Sequence, residues 1–211
     1  EVLLLGDIEN NPAVNLAELL PKPDKTKKQN FAHIIDPKQL TGLLKQLDER
    51  EPRQDYAVYM ALKLIPLVFL RPKNIRYLRW EYIDTGAKQI SFPPSEMKVS
   101  GKPQPFIVPL SRQALAIIEA MRPLTGGREY VFLTAIGERT NTPMSENTTT
   151  KAFQRLINPE TGQPYGVGFV TSHGFRHTAS TLLNELGFSA DAIELQLHHE
   201  NKDRIRATYN K

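Results

Sequence analysis

The chain has 211 residues, of which 40% are hydrophobic and 24% are charged, as in an ordinary water-soluble globular protein. It contains no cysteine, which excludes disulfides, thiolate metal sites and cysteine nucleophiles. The formal net charge of +4 is compatible with nucleic-acid binding without requiring it, and no apolar run approaches the roughly 18 residues of a membrane span.

A linker is predicted near the start of the chain. Residues 22–29 contain four lysines, and Pro21 and Pro23 flank the first of them. This composition is typical of a solvated tether. We therefore place a domain boundary near residue 29, so that residues 1–29 end a preceding domain and form the linker, and residues 30–211 form one domain.

Three helices are predicted next. The first begins at Asp36 and Pro37, an N-cap followed by proline at the first helical position. The second begins near Asp55 and is expected to end or kink at Pro66. The third begins near Pro72. Its periodic residues are Ile75, Leu78 and Arg79.

The middle of the chain favours strands. Short β-type runs occupy residues 89–92, 96–99 and 106–110, and Ser100-Gly101 is a turn signal between the last two. These runs predict a small antiparallel sheet of three strands. A helix capped by Ser111 follows the third of them.

The second half returns to helices. Residues 126–135 are predicted to form a loop and a short extended run, and Ser145 is predicted to open a helix. Further helices are expected from a Ser172 cap to Gly187, from Ser189 to about Leu197, and from Asp203 onwards. The predicted fold class is therefore α+β, mainly helical, with one small three-stranded sheet.

Polar chemistry is concentrated in residues 173–180, which read HGFRHTAS. His173 and Arg176 lie three positions apart and so share one helical face, which is not the apolar one. A histidine exchanges a proton near neutral pH, and an arginine forks onto phosphate oxygens. The pair therefore suits a phosphodiester, although a helix cap and a surface ion-pair partner are the plainer alternative.

Two other features invite a chemical interpretation. His173 and His177 have the spacing of a helical zinc pair, but Gly174 stands where the glutamate of an HExxH motif would be. Near the end of the chain, Tyr209 is a candidate hydroxyl nucleophile, and packing against Ile205 is its plainer role. A zinc hydrolase that also uses two later histidines, at positions 198 and 199, is therefore one alternative function.

Several segments together resemble the tyrosine recombinases, the phage integrase family, and most of all the prophage and genomic-island integrases of the satellite-phage type. The C-terminal signature is carried by HGFRHTAST and LGFSADAIELQLHHENKDRIRATYNK. The box of the first arginine is similar to LRPKNIRYLRWEYID, and the β-hairpin of the catalytic lysine is similar to SFPPSEMKVSGKPQPFIVPLS. The end of the preceding core-binding domain resembles IENNPAVNL, so the resemblance covers nearly the whole chain in order.

The resemblance implies that three residues act directly on the scissile phosphate. Tyr209 is the nucleophile, and Arg71 and Arg176 hold the phosphate. Arg76 and Arg79 lie in the same box as Arg71 and are expected to meet solvent or the DNA backbone.

The resemblance assigns proton transfer and hydrogen bonding to three more. Lys98 is the general acid for the leaving 5′-hydroxyl, preferred over Lys102 by its EMK context. His173 is the general acid/base near the tyrosine, and His199 donates a hydrogen bond to the phosphate. Asn74 stands where the family commonly has a glutamate that would orient the first arginine.

The implied function is a site-specific DNA recombinase that works through a 3′-phosphotyrosine intermediate, without a metal or another cofactor. Its implied partners are double-stranded DNA attachment sites, three further copies in a homotetramer and an accessory directionality factor, in the bacterial cytoplasm on the nucleoid and away from membranes. Family members usually continue past the tyrosine, so we expect this chain to be part of a longer protein. An inactive DNA-binding module and a type IB topoisomerase remain alternatives.

Overall fold

The computed structural model describes residues 31–49, 55–97 and 104–199 of the chain. Within these ranges it contains eight α-helices and three strands, in the order α1 (Pro37–Glu49), α2 (Tyr56–Val68), α3 (Pro72–Arg76), β1 (Ile83–Asp84), β2 (Gln89–Phe92), β3 (Phe106–Pro109), α4 (Arg112–Thr125), α5 (Ala135–Thr140), α6 (Thr148–Gln154), α7 (Gly174–Glu185) and α8 (Ala190–Gln196). The mainly helical α+β class with a three-stranded antiparallel sheet is confirmed. The domain boundary near residue 29 and the last helix, from Asp203, lie outside the described residues.

Helix α2 forms the centre of the hydrophobic core and contacts α1, α4, α6 and α7. Its start was predicted correctly, because Asp55 Oδ1 accepts a hydrogen bond from the amide of Ala57 at 3.0 Å. The other carboxylate oxygen accepts one from the amide of Ala135 at 2.9 Å, which joins α2 to α5. The helix continues for two residues past Pro66 and ends at Val68.

The sheet has the predicted number of strands but not the predicted set. Strand β2 pairs antiparallel with β1 and with β3, in the register Ile90↔Val108 and Phe92↔Phe106. The strand predicted at residues 96–99 is wrong at Glu96 and Met97, because a 3-10 turn occupies Pro94–Glu96 and Met97 is its C-cap; residues 98 and 99 lie outside the described ranges. Prolines have a fixed φ and lack an amide donor, so Pro93-Pro94 ends the ladder. The third strand is β1, which precedes β2 across a tight turn.

Three helices differ from the prediction. Helix α3 ends at Arg76, so the residues at 78 and 79 lie beyond it. Helix α5 begins at Ala135, the last residue of the predicted loop and extended run, and covers residues for which no element was predicted; Thr134 caps it by accepting a hydrogen bond from the amide of Gly137 at 3.2 Å. Helix α6 begins at Thr148 rather than at Ser145, whose hydroxyl instead lies 2.7 Å from that of Thr148.

The start of α7 is also corrected. His173, not Ser172, occupies the N-cap position, and the amide of Gly174 donates to Thr171 Oγ1 at 2.9 Å. The Ser172 hydroxyl instead donates to Thr149 Oγ1 at 2.7 Å, which ties α7 to α6. The predicted stop is confirmed, because the helix ends before Gly187, which has a φ of 79°.

Segment 31–34 packs tightly against the start of α7. The amide of Thr171 donates to the Ala32 carbonyl at 3.0 Å, and the amide of Ile34 donates to Thr178 Oγ1 at 3.2 Å. A Cβ atom on Gly174 would overlap the Ala32 carbonyl oxygen and lie 2.9 Å from its carbonyl carbon. Glycine is therefore needed here for close approach of two backbones.

We expect Gly174→Ala to lower the free energy of unfolding by about 1–3 kcal/mol, because the backbone of segment 31–34 must shift to admit the methyl group. The matched control is Gly42→Ala in α1, where a Cβ would meet its nearest atom, the Tyr165 hydroxyl, at 3.8 Å. That change should raise the free energy of unfolding by about 0.5–1 kcal/mol through helix propensity. Urea unfolding of both variants is the measurement, and equal stabilisation by the two alanines would contradict the close approach.

In the described part of the chain, no helix combines the length and the apolar character that crossing a membrane requires.

Candidate active site

Four of the six predicted site residues lie in the described ranges: Arg71, His173, Arg176 and His199. Lys98 and Tyr209 lie outside them, so their roles stay predictions. The structure brings Arg71, Arg176 and His199 together at the ends of α2 and α8.

Arg176 lies on α7 and is only 5% exposed. Its Nη1 donates to the carbonyl of Phe69 at 2.6 Å, and its Nη2 donates to the carbonyl of Leu197 and lies 3.0 Å from His199 Nε2. The expectation that it lies off the buried face of α7 is wrong. Those acceptors allow a guanidinium to be buried.

Arg71 is half-buried at the N-cap position of α3. Its Nη2 donates to the carbonyl of His198 at 3.4 Å. The carbonyls of two consecutive residues, Leu197 and His198, therefore hold the two arginines, one each. Since backbone carbonyls on a folded helix end have little freedom to move, both guanidinium groups are held in place before any ligand arrives.

The end of α8 explains why those carbonyls point as they do. His198 adopts a left-handed conformation with a φ of 49°. The amide of His198 donates to the carbonyl of Leu195, and the amide of His199 donates to the carbonyl of Glu194, both at 3.0 Å. This pair of bonds is a Schellman motif, which usually has glycine at the left-handed position. Here the His198 ring packs 4.4 Å from that of Phe106 on β3, so the helix end is anchored to the sheet.

Two guanidinium groups held close together make this an electropositive site. Burial lowers the pKa of Arg71, and burial together with the charge of Arg71 lowers the pKa of Arg176 to about 10, against an opposing effect of Glu194. Both groups remain charged at neutral pH. A base whose pKa is lowered by folding destabilises the fold at neutral pH, and for Arg176 this cost fades only as the pH rises through about 10. A bound anion would offset that cost.

His199 follows the end of α8 and bridges two charged residues. Its Nδ1 lies 2.8 Å from Glu194 Oε2, and its Nε2 lies 3.0 Å from Arg176 Nη2. The ring is exposed on its outer side. It is therefore placed where it can contact both the buried arginine and a ligand that arrives from solvent.

The two histidines at the start of α7, His173 at the N-cap and His177 in the helix, form a separate group. The His173 ring packs 4.3 Å from that of Phe31, and the His177 ring lies 5.4 Å from that of His33. Burial lowers the pKa of His177, and the charges of His33, Arg176 and His199 lower it further, which favours the neutral form of this ring. Among the described residues, no three His, Asp or Glu side chains are grouped as metal ligands. The zinc hydrolase therefore has no geometric support there.

Neighbouring residues of the arginine box take structural roles. Arg76 Nε donates to the carbonyl of Met144 at 2.7 Å, and Arg79 pairs with Glu129 at 2.9 Å. Both side chains stay partly exposed, so the expectation that they meet solvent or the DNA backbone stays a prediction. Asn74 is buried and its amide nitrogen lies 3.7 Å from Met97 Sδ, while the His198 carbonyl supports Arg71.

Sequence reasoning missed Glu194 and the carbonyls of residues 69, 197 and 198. Main-chain groups carry no residue-type signal, so nothing in the sequence could have marked the carbonyls. Glu194 and His199 lie five positions apart, a spacing that does not share one face of a straight helix. They meet because α8 ends at Gln196 and the left-handed His198 turns the chain.

Residues 33–211 match the model of the phage integrase family. The chain is 35% identical over 207 residues to Prophage integrase IntA of Escherichia coli strain K12, covering 98% of this chain and 45% of that protein. It is 30% identical over 213 residues to the integrase of Enterobacteria phage P4, covering 96% and 45%. The chain thus spans about half the length of the curated relatives it matches.

Solved structures share the fold. The integrase of the Tn1549 transposon in complex with circular intermediate DNA aligns with a TM-score of 0.60 at 17% identity, over 100% of this chain and 74% of that chain. A lambda integrase dimer bound to a COC′ core site aligns with a TM-score of 0.57 at 15% identity, over 100% of this chain and 55% of that chain. At such low identity the similarity establishes the fold alone.

Proposed function

Because the chain belongs to the phage integrase family of tyrosine recombinases, we propose that it carries the catalytic machinery of a site-specific recombinase. The observation that carries the proposal is the arginine pair. Arg71 and Arg176 are fixed by neighbouring carbonyls of one helix end, and they repel each other until an anion binds between them. A DNA phosphodiester is such an anion.

The chemistry is an attack on phosphorus that conserves the bond energy. The Tyr209 oxygen bonds to the scissile phosphorus, its proton passes to His173, and the bond from phosphorus to the 5′ oxygen breaks. Lys98 gives a proton to that leaving oxygen. The arginine pair stabilises the negative charge that grows on the non-bridging oxygens, and one such fixed donor is worth about 10²–10³ in rate.

The second half of the reaction reverses the first with another strand. The 5′-hydroxyl of a partner strand attacks the 3′-phosphotyrosine and gives its proton to Lys98. The new DNA bond forms, the bond from phosphorus to the Tyr209 oxygen breaks, and Tyr209 takes its proton back from His173. Neither ATP nor a metal ion enters the balance of these steps. The exchange requires two duplexes, and four active sites in a homotetramer would supply one tyrosine for each strand.

The substrate proposed for the chain is double-stranded DNA at attachment sites of a prophage or genomic island. Support comes from the relatives, among which are prophage integrases, and from fold neighbours that were solved in complex with circular intermediate DNA and bound to a COC′ core site. We place the reaction in the bacterial cytoplasm on the nucleoid, with an accessory directionality factor that selects integration or excision.

A nicked suicide substrate tests the proposal. The DNA carries the attachment site of the prophage or genomic island that encodes the chain, with a nick next to the cleavage position. After attack, a short fragment with a 5′-hydroxyl diffuses away. We expect a covalent protein–DNA band on a denaturing gel, with and without EDTA. Binding to this DNA without any covalent band would support an inactive DNA-binding module instead. A band that EDTA removes and zinc restores would support the hydrolase.

Lys98→Ala should slow cleavage by about 10²–10⁴-fold, because the leaving oxygen then departs without a proton. A 5′-thio substrate, whose leaving group needs little protonation, should restore most of the rate in this variant. Lys102→Ala is the matched control and should cleave both substrates at the wild-type rate. If the thio substrate instead rescues a slow Lys102→Ala variant, Lys102 is the acid.

A further inference from the structure

Glu194 is an acidic residue that takes no part in the proposed mechanism, yet it contacts the site through His199. Its Oε2 lies 2.8 Å from His199 Nδ1, and Nε2 of the same ring lies 3.0 Å from Arg176 Nη2. We propose that Glu194 is a positioning residue: it fixes His199 in the tautomer whose Nε2 accepts a hydrogen bond from Arg176. The effect of Glu194 on cleavage rests on the proposed function, whereas the tautomer of His199 rests only on the contacts given above.

The tautomer follows from the partners at the two ends of the ring. A guanidinium has five N–H donors and no acceptor, so Nε2 must offer its lone pair to Arg176. An ionised carboxylate is an acceptor only, so Nδ1 must carry the hydrogen that it donates to Glu194. A neutral imidazole has one N–H and one lone pair, and this arrangement uses both.

The backbone makes the contact between Glu194 and His199 precise. The amide of His199 donates to the carbonyl of Glu194 at 3.0 Å, which is the bond of the Schellman motif that spans the larger number of residues. Main chain and side chain of Glu194 therefore both bind the same histidine. The ring is held at the helix end from which the Leu197 carbonyl also reaches Arg176.

This tautomer changes the role expected of His199 before DNA binds. Nε2 of His199 accepts a hydrogen bond from Arg176, whereas the resemblance implies that His199 donates one to the phosphate. Arg176 Nη2 is then held between the Leu197 carbonyl and the ring, while Nη1 is held by Phe69. The opposite tautomer would place an N–H of the ring against an N–H of Arg176 and push the guanidinium out of line.

A phosphate oxygen can still recruit the ring. To donate from Nε2 to the phosphate, the ring takes up a proton from water, while Nδ1 keeps the hydrogen that it donates to Glu194. Glu194 also acts on Arg176 through its charge, since it opposes the lowering of the Arg176 pKa by burial and by Arg71. Glu194, His199 and Arg176 thus form one chain of contacts that leads from the helix surface to the phosphate site.

The first test determines which ring nitrogen of His199 carries the hydrogen in the full chain without DNA. Nitrogen-15 NMR distinguishes a protonated Nδ1 from a protonated Nε2 in His199. We expect the Nδ1–H form in the wild type and in Glu194→Gln, whose amide oxygen still accepts, and a shift towards the Nε2–H form in Glu194→Ala. The control is Asp191→Asn, which removes the same charge from the first turn of α8 and should leave the ring unchanged. An Nδ1–H ring that persists in Glu194→Ala would overturn the inference.

The second test is single-turnover cleavage of the nicked substrate. We expect Glu194→Ala to be slower by about tenfold, as is usual when the partner of a functional histidine is removed. Glu194→Gln should recover most of that loss, and Asp191→Asn should match the wild type. A changed tautomer with unchanged cleavage would refute the positioning role. A wild-type chain that fails to cleave would refute the proposed function alone, because the NMR result would still decide the tautomer.

A purely structural role predicts a different pattern. If Glu194 only stabilised the end of α8, Glu194→Ala and Glu194→Gln would lower the melting temperature and the rate together, and the ring would keep its tautomer at temperatures where the chain is folded. Thermal unfolding of the four proteins therefore accompanies both tests. Loss of rate without loss of the Nδ1–H form would count against the proposal.

Discussion

Replacing Arg176 by lysine is expected to slow DNA cleavage by about 10²–10³-fold, although the positive charge is kept. The guanidinium uses separate nitrogens to reach the Phe69 carbonyl on one side and the Leu197 carbonyl and His199 on the other. An ammonium group is a single point on a flexible stem and cannot span these acceptors while also facing a phosphate. The fork geometry, and not the charge alone, is what the site requires.

Single-turnover cleavage of the nicked substrate measures this effect, with melting temperatures to confirm that the variant is folded. The matched control is Arg122→Lys on α4, where the arginine pairs with Glu119 and lies over the Trp80 ring. It should cleave at the wild-type rate. An Arg176→Lys rate within about tenfold of the wild type would show that the phosphate is held elsewhere.

Tyr209→Phe should abolish the covalent protein–DNA band while DNA binding stays close to that of the wild type. The change removes only the phenolic oxygen, which is the atom that would bond to phosphorus. Denaturing gels report the covalent product, and mobility shifts at two salt concentrations report binding. Tyr165→Phe is the control, since this ring stacks on Phe169 in a polar loop and has no part in the mechanism. A covalent band that survives the loss of Tyr209 would move the nucleophile to another residue.

The parts of the fold that were predicted well depend on local signals. Asp55 and Ser111 each cap a helix by accepting a hydrogen bond from an amide two or three residues later, so the short sequence around them is enough. Gly187 ends α7 through its own φ preference. The strand predicted at 96–99 is absent at Glu96 and Met97, the two residues of it that the structure describes, because β-type residues were weighed above the two prolines that precede them.

The arrangement of the site could be predicted only in part. The motifs selected Arg71, Arg176 and His199, and the structure brings these three together. The burial of Arg176 was missed, because its acceptors come from Phe69, more than a hundred positions away, and from the end of α8. Glu194 was missed because its contact with His199 exists only after the helix ends and turns.

The Schellman motif at the end of α8 has a consequence for mutational surveys of this chain. Among the groups that hold the two arginines are the main-chain oxygens of Leu197 and His198, and every amino acid supplies such an oxygen. Replacing either side chain by alanine leaves the oxygen in place, so an alanine scan would report only what the two side chains contribute. Proline at position 198 would force φ to about −65° and turn the oxygens away. The side chains at positions 197 and 198 can therefore change while the backbone conformation still holds Arg71 and Arg176 in place.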